Sequence, residues 1–322
     1  MTNPGSGHSR TLIALGLAFV LAVAAVQVLS RSREARAAAE YPPTGQFVEV
    51  DGIRVHAHVE GSGPDLVLIH GSNGSTREFT YRLNAHLTDR YRVIALDRPG
   101  LGYSEPLPGR ATLQAQARHL QKAAAALGAP APLVLGQSYG GSVALAWTLE
   151  MPETLSGLVL VSAPSHTWQG GLPTLYQVTS NWAGKWLAVP LLTAFVPLRY
   201  VEGTLDFVFE PQPVPEDYAT YFGPELALRR GSFRANAAQR ADLKADISVM
   251  VPRYREIDVP VEILHGDADT IVPISIHSGP LAKTLPEAGF TVLPGIGHMP
   301  HHVAPDMVAA AVDRAAERAG LR

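Results

Sequence analysis

Cysteine is absent from the 322 residues, which excludes disulfides, thiolate metal sites and a cysteine nucleophile and leaves the redox compartment open. A basic excess is absent as well. Lys plus Arg is 26 against 29 Asp plus Glu, a formal charge of -3, so nothing in the charge balance would displace phosphate counterions, and nucleic acid is excluded as the main partner. Charged residues are scarce at 17% against 46% hydrophobic, a ratio that excludes disorder for most of the chain and supplies a sizeable core. No internal repeat is present. What the chain does have is turn formers, 29 Gly and 26 Pro, as many short elements joined by tight loops require. Its length fits two domains, or one large α/β domain carrying an insertion.

From Thr11 to Ser30 the sequence reads TLIALGLAFVLAVAAVQVLS, with no charge and one glutamine. As a helix these residues span about 30 Å, the thickness of a bilayer core. The run is apolar on all faces and close to the terminus, unlike a buried core helix. It exceeds the usual signal-peptide core of about 7–15 residues, which favours an uncleaved anchor. Ala35-Arg36-Ala37 and Ala37-Ala38-Ala39 are small-residue patterns that keep open a cleaved signal and a secreted or periplasmic product. Arg31, Arg33 and Arg36 outnumber Arg10 plus the terminal amine and draw the C-terminal side of an anchor toward the cytoplasm; a signal peptide sends it the other way. Residues 1–40 are expected to be a membrane segment outside the globular fold.

Beyond Tyr41-Pro42-Pro43 strands and helices alternate. Phe47–Val50 and Ile53–Val59, joined by Asp51-Gly52, predict a half-exposed hairpin. Leu66–Ile69, Val93–Leu96, Leu133–Leu135, Leu158–Val161 and Val261–Leu264 are apolar runs of the kind buried on both faces, the last with one interruption, and Phe290–Leu293 is an eighth candidate strand. Helices are expected from a capping box at Ser75-Thr76-Arg77-Glu78 toward Leu87, over Thr112–Leu127 up to Gly128, over Gly140–Met151 and over Met307–Ala319. Such alternation predicts an α/β fold: an eight-stranded, mostly parallel sheet with an antiparallel start, flanked by helices. The alternation breaks between about Ser165 and Tyr254. That stretch is rich in proline and holds thirteen of the 23 aromatics, Trp168, Trp182 and Trp186 among them. It reads as a mainly helical cap inserted after the sixth strand, with most of its aromatics forming its own small core and a few facing a crevice beneath. The expected organisation is 41–164 and 256–322 as the core and 165–255 as the cap.

Three polar residues fall just past strand ends. Gly136-Gln137-Ser138-Tyr139-Gly140-Gly141 follows a strand and opens a helix, the context in which G-x-S-x-G presents a serine hydroxyl on a tight turn, with Gly136 and Gly140 where backbone crowds. The helix N-terminus beside Ser138 favours developing negative charge. A serine hydroxyl needs a base, and the base an orienting acid. His265-Gly266-Asp267-Ala268-Asp269 and Gly297-His298 lie on loops at the same sheet edge, where ligands of open α/β sheets bind. Ser138, Asp269, His298 stand in the chain order Ser…Asp…His of one known triad topology. Gly100-Leu101-Gly102 lacks the third glycine of a dinucleotide fingerprint, and Asp97 is expected to brace that turn. His298, His301 and His302 lack a carboxylate at metal-site spacing, so neither metal nor cofactor is implied.

With these motifs on the page the chain resembles the α/β-hydrolase fold family in its capped branch, over about 46–164 and 257–318. The resemblance rests on His70-Gly71-Ser72-Asn73-Gly74, Asp97-Arg98-Pro99-Gly100-Leu101-Gly102-Tyr103-Ser104, the serine elbow, the Gly266–Pro273 loop and Gly297-His298, five motifs in family order. It implies that the acid is Asp269, three residues after Gly266, with Asp267 as the alternative. It also implies that the backbone N–H groups of Ser72 and Tyr139 form an oxyanion hole, with Gly71 letting the backbone approach the ligand. Ser162 stands where some relatives carry the acid. Relatives that open epoxides or displace halide have aspartate at the elbow, so Ser138 argues against both reactions. The expected activity is hydrolysis of a carboxylic ester with a small apolar acyl group through an acyl-enzyme. Lactone, amide or C–C bond hydrolysis by the same triad is an alternative, and a non-catalytic ligand-binding member of the fold is another.

Overall fold

The computed structural model describes residues 5–322, with side chains from Arg10 onward. A long helix, α1 (Gly5–Glu40), leads into the hairpin β1 (Gln46–Val50) and β2 (Ile53–Glu60). Asp51 and Gly52 take φ of 52° and 76°, the left-handed pair that a two-residue hairpin turn demands. The chain continues through β3 (Asp65–Ile69), α2 (Arg77–Thr80), β4 (Arg92–Leu96), α3 (Leu113–Ala126), β5 (Leu133–Gln137), α4 (Tyr139–Glu150) and β6 (Gly157–Val161). Between β6 and the next strand lie α5 (Thr174–Ser180), α6 (Val189–Phe195), α7 (Leu198–Phe209), α8 (Tyr218–Phe222) and α9 (Arg230–Met250). The chain closes with β7 (Val261–Gly266), α10 (Ser278–Thr284), β8 (Gly289–Leu293), α11 (Pro300–Val303) and α12 (Pro305–Arg318).

The eight strands form one sheet in the order β1-β2-β4-β3-β5-β6-β7-β8. β1–β2 and β2–β4 are antiparallel and every other pair is parallel, as the apolar runs imply. Period-two alternation splits each central strand between two cores. Leu66, Leu68, Leu133 and Leu135 pack with Val308, Val312 and Ala315 of α12, while Val67, Ile69 and Val134 pack with Leu120 of α3 and Val143 and Trp147 of α4. With both faces covered, the carboxyl ends of β3, β5, β7 and β8 are left to carry polar loops. The Thr112 hydroxyl caps α3 by accepting from the Ala115 N–H at 3.1 Å, and Gly128 at φ 81° follows its end.

Three expectations give way here. The helix expected toward Leu87 is two short pieces, Arg77–Thr80 and a 3-10 turn at Leu83–His86. Glu78 does not close a capping box, because its carboxylate is buried among His301, His302 and Tyr218 instead. The aromatics of 165–254 do not mainly form a core of their own. Phe209, Tyr218 and Phe222 do cluster with Met299, but Trp182, Trp186, Phe195, Tyr200 and Phe207 are exposed. Residues 1–40 are not wholly outside the fold. The first half of the described span is exposed, whereas one side of the second half packs on α6 and on the turn at 224–226. Ser30 Oγ donates to the Pro190 carbonyl at 2.9 Å, Arg33 Nη1 to the Val196 carbonyl at 2.8 Å, and Arg230 Nε to Glu34 Oε1 at 2.7 Å. Arg230 also bonds Gln27, and Ala37 and Tyr41 pack on Leu226. These partners lie some 160 to 200 positions downstream, so no local pattern announces them.

Candidate active site

β5 delivers Ser138 to the sheet edge in a conformation few side chains adopt, φ 50° and ψ −125°. The strain is held by the Ser138 N–H donating to the Val161 carbonyl at 2.9 Å and the Gly141 N–H to the Ser138 carbonyl at 2.8 Å. Tight packing explains the flanking glycines. A Cβ on Gly140 would fall inside the carbonyl of Ile69, and one on Gly136 inside the backbone of Gly140 and Gly141. A Cβ on Gly71 would stand 2.5 Å from Gln137 Oε1 and 3.1 Å from Ser138 Cβ, so glycine there brings the His70–Asn73 loop against the elbow. Tyr139 is the first residue of α4, where an N–H has no carbonyl of its own helix to bond. Ser72 lies across the elbow on the loop after β3, and its buried hydroxyl has no hydrogen-bond partner among the described residues.

The loops after β7 and β8 bring the other two predicted residues to Ser138. The Ser138 hydroxyl meets His298 Nε2 at 2.9 Å, and His298 Nδ1 meets Asp269 Oδ2 at 2.7 Å. Asp269 is the acid in contact. Asp267 turns away and accepts the Gly295 N–H at 2.6 Å. Every acceptor direction of Asp269 is filled. Oδ1 takes the N–H groups of Ile271 and Val272 at 2.9 and 2.8 Å, and Oδ2 is shared between His298 and His265 Nε2, the latter at 3.1 Å. Burial pushes this carboxyl up, but the bonds from His265 and His298, the His298 charge and the Val272 N–H outweigh it and hold the pKa well below the usual range. The group is therefore ionised at neutral pH in a buried site. Ser162, just past β6, is buried with φ 49° and an unpartnered hydroxyl, and no carboxylate stands there. Ser138 is 7% exposed.

Three supporting groups escaped sequence reasoning. His265 is the first. Its Nε2–H also donates to the Val272 carbonyl at 2.7 Å, and Ser278 donates to its Nδ1 at 2.6 Å, so it fixes Asp269 from behind. Its place at the end of β7, four residues before Asp269, was the available signal. Arg98 is the second, fully buried and tied to the carbonyls of His70 and Gly71, to Gln116 and to Gln239 of α9, with its guanidinium 4.1 Å from the Tyr139 ring centre. Glu78 is the third. His301 and His302 donate to its Oε1 at 2.9 and 2.7 Å and Tyr218 adds its hydroxyl at 3.1 Å, which joins α8 to the turn following His298. The carboxylate that the histidine spacing lacked thus arrives from far away in sequence, and the ligand atoms of Glu78, His301 and His302 lie within 4.8 Å of one another. Asp97 does brace its turn, accepting from His56, Thr76 N–H and Tyr103 N–H at 2.6–2.7 Å.

Three imidazoles nearby are buried in neutral form. His70 Nε2 accepts the Arg98 N–H at 2.9 Å, and His277 Nδ1 accepts the Ser165 N–H at 3.2 Å, roles only an unprotonated nitrogen can fill. His301 has no partner at Nδ1 among the described residues. Burial, then nearby positive charge, lowers all three from 6.5 to about 4. Unfolded, each binds its proton near 6.5, so the unfolded state carries the excess protons between the two values. Stability is therefore full above about pH 6.5 and falls as the pH drops toward 4, by at most about 4 kcal/mol per unit for three groups. Urea midpoints at pH 7, 6 and 5 check this, and equal midpoints at pH 7 and 5 contradict it.

The comparisons with known proteins agree with this architecture. The sequence matches the profile of the alpha/beta hydrolase fold over residues 64–305. It is 27% identical over 267 residues to a 2-hydroxymuconate semialdehyde hydrolase of Pseudomonas putida, covering 80% of this chain and 88% of that protein. It is likewise 27% identical over 283 residues to haloalkane dehalogenase 2 of Mycobacterium tuberculosis, covering 84% and 94%. A solved thermophilic esterase from Thermogutta terrifontis superposes with a TM-score of 0.69 at 23% identity, over 85% of this chain and 99% of that one. With the profile spanning three quarters of the residues and the sheet order and elbow matching it, this chain belongs to the α/β hydrolase fold family.

Proposed function

We propose that the chain is a serine hydrolase of carboxylic esters with an apolar acyl group, held to a membrane by α1, with residues 165–255 serving as a cap over the site. The observation that carries this reading is the continuous line of hydrogen bonds Ser138–His298–Asp269, 2.9 and 2.7 Å long. In the proposed cycle the Ser138 hydroxyl attacks the ester carbonyl as His298 Nε2 takes its proton. Asp269 holds the Nδ1–H and balances the imidazolium. The backbone N–H groups of Ser72 and Tyr139 receive the oxyanion. His298 then protonates the leaving alcohol, and water, activated by the same imidazole, clears the acyl group from Ser138.

A fluorophosphonate probe tests the reading directly. The expected result is a covalent adduct mapped to Ser138, loss of the adduct in Ser138→Ala, and parallel loss of turnover on short p-nitrophenyl esters. Turnover that survives Ser138→Ala would sink the mechanism, and a folded protein that takes no probe would favour a ligand-binding role. A second reading, hydrolysis of a C–C bond in a ring-cleavage product, is favoured by the Pseudomonas putida relative. It is separated by a panel of esters, lactones, amides and vinylogous diketones. Halide displacement, the activity named for another relative, has no place here because the elbow carries serine.

Gly71→Ala tests the oxyanion geometry without touching a reacting group. The new methyl must push the Ser72 loop off Gln137 and Ser138, so kcat is expected to fall about 10²-fold with a much smaller change in the urea midpoint. Steady-state kinetics with one ester check it, and unchanged kcat would detach Ser72 from the oxyanion role.

A further inference from the structure

The segment between β6 and β7 presents an apolar face that the described residues leave exposed apart from Arg234, whose guanidinium lies 4.6 Å from the Trp186 ring centre. Trp182 is 78% exposed, Trp186 57% and Leu187 60%, with Leu191 and Phe195 exposed beside them. These residues recur at i, i+4 and i+8: Trp182 with Trp186, and Leu187 with Leu191 and Phe195, along the apolar helical run Gly184–Phe195. A run of that length is too short to span a bilayer and suits one lying in its interface.

Two observations say what covers the face. The first is its attachment. The opposite side of the same run packs on α1, where Ser30 bonds the Pro190 carbonyl and Arg33 the Val196 carbonyl. Ser30 is the last residue of the uncharged stretch, so the run meets α1 at the point where the length able to cross a bilayer ends. The second is charge. From Thr154 to Val201 there is no acidic residue, and Lys185 and Arg199 are the only fixed charges. An apolar, tryptophan-bearing surface with only positive charge matches the headgroup region of an anionic bilayer.

We propose that the Trp182–Phe195 face docks into the interface of a phospholipid bilayer, so that the cap of this hydrolase rests on the membrane surface beside its span. The proposal rests on the reading of α1 as a membrane anchor for its orientation, and the test keeps the two apart. Because the chain has no cysteine, a single introduced one is a unique label site. Full-length Leu187→Cys and, as a control on the exposed side of α12, Glu317→Cys are labelled with an environment-sensitive nitrobenzoxadiazole dye. Each is reconstituted in vesicles of phosphatidylcholine and phosphatidylglycerol at 4:1, with or without a nitroxide lipid. The expected result is blue-shifted emission at position 187, quenched by nitroxide at least about twofold more than at position 317. Emission at 187 as water-like as at 317 overturns the proposal. So does a blue shift without nitroxide quenching, which would mean that a second copy of the chain covers the face. An alkaline carbonate wash reads the anchor separately. Release of the chain refutes the span, while quenching at 187 in vesicles carrying unwashed protein still upholds the docking.

Discussion

Asp269→Asn is expected to lower kcat on p-nitrophenyl esters by about 10⁴-fold while leaving the fold intact. The reason is the direction of a proton. Oδ1 of Asp269 accepts two backbone N–H groups, from Ile271 and Val272, so an asparagine must keep its oxygen there. Its NH₂ then occupies the place of Oδ2 and points donors at His298 Nδ1 and His265 Nε2. A donor facing Nδ1 forces the His298 proton onto Nε2, the nitrogen that must be bare to accept the Ser138 proton. The substitution swaps the tautomer without moving an atom far. Fluorophosphonate labelling should slow in step with kcat, and Asp267→Asn, which keeps an oxygen to accept the Gly295 N–H, should stay within about threefold of the parent. If Asp269→Asn keeps parental kcat while Asp267→Asn loses it, the acid has been misassigned.

The largest loss of stability is expected at Arg98. The guanidinium is fully buried with no carboxylate among its hydrogen-bond partners. Instead, Nε donates to the His70 carbonyl at 2.9 Å, Nη1 to Gln116 and Gln239 at 2.8 and 2.7 Å, and Nη2 to the Gly71 carbonyl at 3.0 Å. Burial lowers its pKa to about 10, still far above neutrality, so the charge persists and is solvated by carbonyl and amide dipoles and the Tyr139 face. Arg98→Met strips four buried acceptors of their donor and should cost about 3–5 kcal/mol in urea unfolding. Arg98→Lys keeps the charge but cannot reach three directions in one plane, and should recover less than half of that loss. Because two of the acceptors belong to the loop of Ser72, Arg98→Lys should also depress kcat at temperatures where it remains folded. An Arg98→Met protein within 1 kcal/mol of its parent would contradict the account.

What could be read in advance was local. Runs such as Leu66–Ile69 and Leu158–Val161 must be buried on both faces, and that alone yields a parallel sheet. Ser138, Asp269 and His298 were each singled out because each lies on a loop just past a candidate strand, and strand ends at one edge converge by topology. Arg98 and Glu78 were opaque for the opposite reason: an arginine after a strand is ordinary until Gln116 and Gln239 arrive from elsewhere, and Glu78 looks like a capping residue until His301 and His302 close on it. Most aromatics of 165–254 were expected in a small core, yet Trp182 and Trp186 are exposed, because aromatic content states that apolar surface is present and is silent about what lies against it.

The contacts of residues 27–41 with α6, the 224–226 turn and Arg230 of α9 would set a cost on any cleavage between them and the fold. Cutting at the alanines near position 37 would discard Gln27, Ser30, Arg33 and Glu34 together, leaving Arg230 without its carboxylate and the flank of α6 bare. A leader of the ordinary kind departs without trace. Here such a piece would be a splint, and a trimmed form would be a looser protein, not a freed copy of the same one.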